Sequence, residues 1–206
     1  MSPEQTKPAI VFDFGGVLVD WNPRHLYRKL FPDEGAMEDF FDEVQFLQWN
    51  ADQDRRSTFA EGVAELAEKY PHHADKIQAF DDRWIESIGG DIGGTVEILH
   101  ALKDAGYPLY GLSNWAAETF ARIRHEFQFL ALFDEIILSG EVGLTKPDPR
   151  IFELLLSRAG RTADECIFID DSETNIRAAQ ALGFKTVHFE SPEHLKHELH
   201  AFGVQF

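Results

Sequence analysis

Cysteine is almost absent: Cys166 stands alone in a chain of 206 residues, which excludes an intramolecular disulfide framework. It lies in the apolar run Cys166-Ile167-Phe168-Ile169 and reads as a buried, reduced thiol. Positive charge is scarce as well, with 19 Lys and Arg against 36 Asp and Glu, for a net charge of −17 at pH 7. That balance argues against a nucleic-acid partner, because wrapping a phosphate backbone needs an excess of cations. An anionic small substrate would have to be held by a local cluster of donors, helped by a metal ion. Long apolar runs are also missing. No stretch approaches transmembrane length, and Met1 to Pro8 lacks a signal-peptide core, so the expectation is a soluble, cytoplasmic protein with no membrane partner. No internal repeat or low-complexity tract appears.

What is present begins with Ala9-Ile10-Val11-Phe12-Asp13-Phe14-Gly15-Gly16-Val17-Leu18-Val19-Asp20. A strand-length apolar run without polar alternation predicts a strand of a parallel sheet buried on both faces. Asp13 then sits at the carboxyl end of that strand, where open α/β sheets place their ligand crevice. Gly15 and Gly16 allow a sharp turn and a close approach of backbone to ligand. Asn22-Pro23-Arg24 has helix-start grammar, and from there to about Ile88 the pattern predicts helices only. One expected apolar face runs Phe40, Phe41, Val44, Phe46 and Leu47. Another runs Ile77, Phe80, Trp84, Ile85 and Ile88, stopped by Gly89-Gly90.

Beyond Gly93-Gly94 the pattern alternates. Strands are predicted at Leu109–Leu112, Glu135–Leu138, Cys166–Ile169 and Thr186–His188. Helices are predicted at 96–103, 116–126, 150–159 and 173–182. Strands alternating with helices argue a parallel sheet with right-handed crossovers. The expected fold class is α/β, with a Rossmann-like parallel-sheet core (residues 1–20 and 90–206) and an inserted all-helical cap (residues 21–89).

Each later strand delivers polar residues at its carboxyl end: Ser113-Asn114, then Thr145-Lys146-Pro147 after a loop, then Asp170-Asp171-Ser172 with Asn175 one helical turn on. In a parallel sheet these ends share one edge, so Asp13, Ser113, Lys146 and Asp171 should converge. A single strand-end carboxylate is ordinary turn chemistry. Four ends bearing a carboxylate, a hydroxyl, an ammonium and a carboxylate pair are not.

On these motifs the sequence resembles the haloacid dehalogenase-like hydrolases, a superfamily dominated by phosphatases. The motifs occur in order as Phe12-Asp13-Phe14-Gly15-Gly16-Val17-Leu18, Leu112-Ser113-Asn114, Lys146-Pro147-Asp148-Pro149 and Ile169-Asp170-Asp171-Ser172-Glu173-Thr174-Asn175. The branch it resembles carries Asp-x-Gly and Asp-Asp-x-x-x-Asn and includes bacterial sugar-phosphate phosphatases. The resemblance implies Asp13 as nucleophile forming an aspartyl-phosphate, and Lys146 as the catalytic cation that orients it. It implies Mg²⁺ held by Asp13, Asp171 and the Gly15 carbonyl. Ser113 and Asn114, with the N–H groups after Ser113 at a helix N-terminus and the backbone of Gly16, would bind phosphate. Asp170 and Asn175 would support Lys146 and the metal waters. The implied partner is a small phosphorylated substrate, acted on by a monomer or a homodimer.

One departure matters. Most family phosphatases carry a second Asp two residues after the nucleophile as general acid and base, and here that position is Gly15. Loss of such a group costs about 10²–10⁴ in rate. The name-giving dehalogenases lack that Asp too and work without metal, but usually lack the acidic pair. The reading is therefore a Mg²⁺-dependent phosphatase, against a metal-independent 2-haloacid dehalogenase or a degenerate phosphate- or partner-binding protein. Trp21, Phe46 and Trp49 are either cap core or lining of the cap face. Arg24, Gln45, Gln48, Asn50, Arg55 and Arg56 are polar candidates for recognition. His194, His197 and His200 read as a solvated helix face, His72-His73 as surface, and Asp20 as a cap or turn at the hinge.

Overall fold

The structure, a computed structural model, describes residues 7–53 and 58–206. Five parallel strands form the central sheet in the order β5-β4-β1-β6-β7. They are β1 (Ala9–Phe12), β4 (Leu109–Ser113), β5 (Glu135–Leu138), β6 (Cys166–Asp170) and β7 (Lys185–His188). The register pairs Val11 with Tyr110 on one side of β1 and with Phe168 on the other. Side chains alternate between two separate apolar clusters. Ile10 and Phe12 join Leu109, Ile167 and Ile169 in one, while Ala9 and Val11 join Leu112, Ile137 and Phe168 in the other. Both faces of the sheet are thus covered, which explains the continuous apolar runs in its strands.

Helices α6 (Gly93–Asp104), α7 (Ala117–Ile123) and α11 (Pro192–Ala201) pack their apolar faces on the first cluster, and a single turn, α8 (Ser139–Val142), follows β5. Helices α9 (Pro149–Ala159) and α10 (Glu173–Ala181) cover the second. The chain leaves β1 toward β4 and β5 on one side, then returns to β6 and β7 on the other. The strand order therefore reverses at β1, and the crevice at such a switch point opens at the carboxyl ends of β1, β4 and β6.

Between β1 and α6 the chain makes α1 (Arg24–Tyr27), α2 (Glu34–Glu43), α3 (Phe46–Gln53), α4 (Phe59–Lys69) and α5 (Ala74–Asp82). Their core is aromatic. The Tyr27 ring lies 5.1–5.2 Å from those of Phe40, Phe41 and Phe46. The insertion is not helix alone: β2 (Val19–Trp21) and β3 (Ile88–Asp91) pair antiparallel and tie its two ends together. The predicted faces differ in two places. Helix α2 stops at Glu43 and α3 restarts at Phe46 across Gln45, whose φ of 52° breaks the helix and leaves Leu47 exposed. After α5 a 3₁₀ turn at Trp84–Ser87 leads into β3, so Ile85 faces solvent and Gly89-Gly90 lie in a strand. Among the described residues no helix is long and apolar enough to cross a membrane.

Candidate active site

Asp13 follows directly on β1, and its N–H donates to the Ile169 carbonyl at 2.9 Å, which locks it beside the end of β6. Its Oδ1 accepts from the Ser113 hydroxyl at 2.7 Å, and its Oδ2 lies 2.9 Å from Lys146 Nζ. Lys146 also donates to Asp170 Oδ2 at 2.6 Å, and neither side chain of that pair is solvent-accessible. Asp170 accepts further bonds from the Ser172 N–H at 2.8 Å and the Asn175 amide at 3.0 Å. The four strand ends named from the sequence therefore do meet. One ammonium is gripped by two carboxylates, and one of those carboxylates is held in place by Asn175.

The electrostatics follow from that burial. Desolvation pushes the Asp13 carboxyl up to about 7, against the pull of the Lys146 charge. Burial works against the charge on Lys146, yet the Asp13 and Asp170 carboxylates outweigh it and hold the ammonium above the usual range. Asp171 is raised as well, by burial first and then by the neighbouring Asp170 charge. Carboxylate oxygens of Asp13, Asp170 and Asp171 lie within 4.8 Å of one another. That all-oxygen set suits a hard divalent cation such as Mg²⁺. Asp170 is fully buried, whereas Asp171 is exposed and Asp13 keeps some solvent contact, so Asp13 and Asp171 are the pair a metal could reach. Gly16 makes room for them: its φ is 75°, and a Cβ there would collide with the Asp171 carboxylate.

Two expectations change in detail. The Asn114 side chain does not face a phosphate. Its Nδ2 donates to the Lys146 carbonyl at 2.9 Å and its Oδ1 accepts the Lys146 N–H at 2.8 Å, so it pins the loop that delivers the lysine. Nor does a helix begin at Ser113, because α7 starts at Ala117 and the Trp115 N–H donates to the Ser139 hydroxyl at 2.8 Å. The Ser113 hydroxyl and the Asn114 backbone N–H remain for an anion there.

Beside Gly15 and Asn114 lies a cavity of about 70 Å³, walled by Trp21, Phe59, Trp84 and Trp115, with Asn50 and Thr119 adding polar groups. The insertion and the sheet meet around it. The Trp84 and Trp115 rings lie 5.8 Å apart, the Phe59 N–H donates to Glu118 at 2.7 Å, and Arg122 pairs with Asp81 at 2.6 Å. Among the described residues the buried Trp115 Nε1–H has no hydrogen-bond partner. Of the aromatic candidates only Trp21 lines this cavity. Phe46 and Trp49 pack inside the insertion, with ring centroids 5.4 Å apart. Of the polar candidates Asn50 reaches the cavity, whereas Arg24 pairs with Glu38 at 2.6 Å and Gln48 donates to Asp52 at 3.4 Å. Gln45 occupies the bend between α2 and α3. Arg55 and Arg56 lie outside the described residues.

Phe59, Trp84 and Trp115 were missed because they are far apart in sequence, and the first two sit at helical spacing that mimics core. Asp20 belongs to β2 and approaches His25 at 3.1 Å, rather than capping a turn. The last-helix histidines stay apart: His197 is largely exposed and the His200 ring packs on Phe206 at 5.1 Å.

The family model of the haloacid dehalogenase-like hydrolases matches residues 7–183. A sesquiterpene phosphatase of Aspergillus oryzae is 28% identical over 183 residues, covering 89% of this chain and 90% of that protein. A drimenol cyclase of Aspergillus calidoustus is 31% identical over 93% of this chain, which spans only 35% of that longer protein. Among solved structures, a HAD family enzyme of Bacteroides thetaiotaomicron in its magnesium complex superposes with a TM-score of 0.72 at 25% identity, covering 95% of this chain and 99% of that one. The sheet order, the strand-end polar cluster and the family match over most of the chain agree, and the chain belongs to the haloacid dehalogenase-like hydrolases.

Proposed function

We propose that this hydrolase is a Mg²⁺-dependent phosphomonoesterase acting on a small phosphorylated metabolite through an aspartyl-phosphate, with sugar phosphates as the first class to test. The observation that carries the reading is the buried Asp13–Lys146–Asp170 group with Asp171 at its edge. A carboxylate can attack a phosphate dianion only where positive charge offsets the repulsion. Lys146, desolvated and clamped by Asp170 and Asn175, supplies one such charge and fixes the orientation of Asp13. Mg²⁺ held by Asp13, Asp171 and the Gly15 carbonyl would supply the second. Ser113 donates to Asp13 before substrate arrives and is placed to turn to a phosphate oxygen.

The leaving group would occupy the aromatic cavity beside Gly15, where Asn50 and the unpartnered Trp115 Nε1–H can meet its oxygens. Among the described residues lining that cavity none is ionisable. Groups that depart readily without a proton, such as an anomeric oxygen, therefore suit it best. Residues 21–89 would act as the cap, closing over the bound substrate and excluding water, with residues 1–20 and 90–206 as the catalytic core.

Phosphate release from a panel of sugar phosphates and nucleotides, with Mg²⁺ and with EDTA, tests this reading. Metal-dependent release that is lost in Asp13→Asn is the expected outcome. No release from any of them would overturn it and turn attention to halide release from 2-haloacids, which a chelator would leave unchanged.

A further inference from the structure

A second group of potential ligands lies far along the chain from the catalytic motifs. Helix α2 ends at Glu43, and the 3₁₀ turn Pro71–His73 lies against that end. His72 Nε2 is 2.7 Å from Glu43 Oε1, and His73 Nε2 is 3.0 Å from Glu43 Oε2. Ligand atoms of all three residues fall within 4.8 Å of one another. The two imidazoles are adjacent, with ring centroids 4.4 Å apart, and both aim the same ring nitrogen at one carboxylate.

We propose that Glu43, His72 and His73 form a binding site for a borderline divalent cation of the Zn²⁺ or Ni²⁺ type, separate from the hard-cation site around Asp13. A tetrahedral Zn²⁺ with bonds of about 2.0–2.1 Å needs ligand atoms about 3.3 Å apart, close to the spacings already present. Nε2 points its lone pair in the ring plane along the direction its hydrogen takes, so both rings already face the carboxylate and coordination requires them to tilt toward a shared position beside it. Without a metal, each ring as a neutral Nε2–H imidazole donates to one carboxylate oxygen, and metal binding moves that hydrogen to Nδ1 and frees the Nε2 lone pair. Two imidazoles and one carboxylate are a common donor set for zinc with an open fourth position, and they discriminate against Mg²⁺, which prefers oxygen.

The site is preorganised on one side. The His73 side chain is only 18% exposed, and its ring packs edge-on against Phe40 at 5.0 Å. Pro71 fixes the start of the turn. A net charge of −17 raises the local concentration of cations at such a surface. A bound ion would staple the end of α2 to the turn before α5, stiffening the helical insertion without touching the Asp13 cluster.

The test is equilibrium dialysis of the full chain against Zn²⁺ in excess Mg²⁺, with the bound metal counted for wild type, His72→Ala and Glu43→Gln. Both substituted side chains are about half exposed, so neither variant threatens folding, which a thermal melt without zinc verifies. Each variant should hold one Zn²⁺ fewer per chain, or bind it about tenfold or more weakly. The tetrahedral absorbance of Co²⁺ added in place of Zn²⁺ should disappear with it. Phosphate release in zinc-free, Mg²⁺-containing buffer should be unchanged. Equal zinc counts in wild type and both variants would overturn the proposal, as would zinc uptake that Asp171→Asn abolishes and His72→Ala leaves intact.

Discussion

Lys146 holds a charge where solvent does not reach, and two carboxylates compete for it at 2.6 and 2.9 Å. Removing one member of a buried ionic group leaves the others desolvated and unpaired, which costs about 3–5 kcal/mol. Lys146→Met should therefore lower the unfolding free energy from a denaturant titration in EDTA by an amount in that range, with phosphate release lost as well. A midpoint within error of wild type would mean that the ammonium is not the partner on which Asp13 and Asp170 depend. A different residue contributes to the alkaline limit. Burial pushes the Cys166 thiol up to about 11, so the folded chain holds that proton more tightly than the unfolded chain, whose thiol titrates near 9. The stability this confers is complete below about pH 9 and is lost as pH rises toward 11. Cys166→Ala should flatten that alkaline decline in a urea titration, and native Cys166 should resist alkylation at pH 8 until the chain unfolds.

At the scale of elements, α9 is punctuated at both ends. Asp148 accepts the Arg150 N–H at 3.0 Å, Pro149 takes the first helical position, and Gly160 closes the helix at φ 61°. Asp148→Ala should destabilise by about 1 kcal/mol, read as a drop of about 2–4 °C in Tm. Phosphate release per folded molecule should be unchanged. A drop beyond 10 °C would show that the side chain does more than cap.

Strands β4 and β6 were readable because burial on both faces leaves apolar runs, whereas the partly exposed edge strands β5 and β7 were placed by their alternation with helices. The β2–β3 ribbon was not. Its strands have three and four residues, and β3 contains Gly89 and Gly90, residues depleted from strands because they bring no side chain to pack. Its pairing is set by the 70 or so residues it encloses, which no local pattern encodes. The candidate site divides in the same way. Asp13, Ser113 and Asp170 were legible because each stands at a strand end, and Lys146 because it follows β5 in a motif. The role of Asn114 was not, because its partners are the Lys146 backbone atoms across a loop. The aromatic wall was hidden for a similar reason: Trp84 and Phe59 carry helix-core spacing and meet Trp115 only once the insertion folds over the sheet.

For the whole molecule the dominant fact is charge. An excess of 17 negative charges surrounds a site proposed to receive a phosphate dianion. Long-range steering therefore opposes substrate approach, and the attraction needed for binding is confined to Lys146, the Ser113 hydroxyl and the metal within the crevice. Repulsion of this kind is screened over a Debye length of about 10 Å at 0.1 M salt, whereas contacts inside the site are screened far less. Raising NaCl from about 0.01 to 0.1 M, with Mg²⁺ kept saturating, should thus raise kcat/KM for an anionic substrate and leave kcat nearly constant. The same salt should weaken Mg²⁺ uptake, because the field that repels the substrate draws the cation in. The two slopes should have opposite signs. If kcat/KM instead falls with salt at saturating Mg²⁺, a positive local field extends beyond the crevice and outweighs the net charge. Steering would then belong to the rim of the site, not to the molecule as a whole.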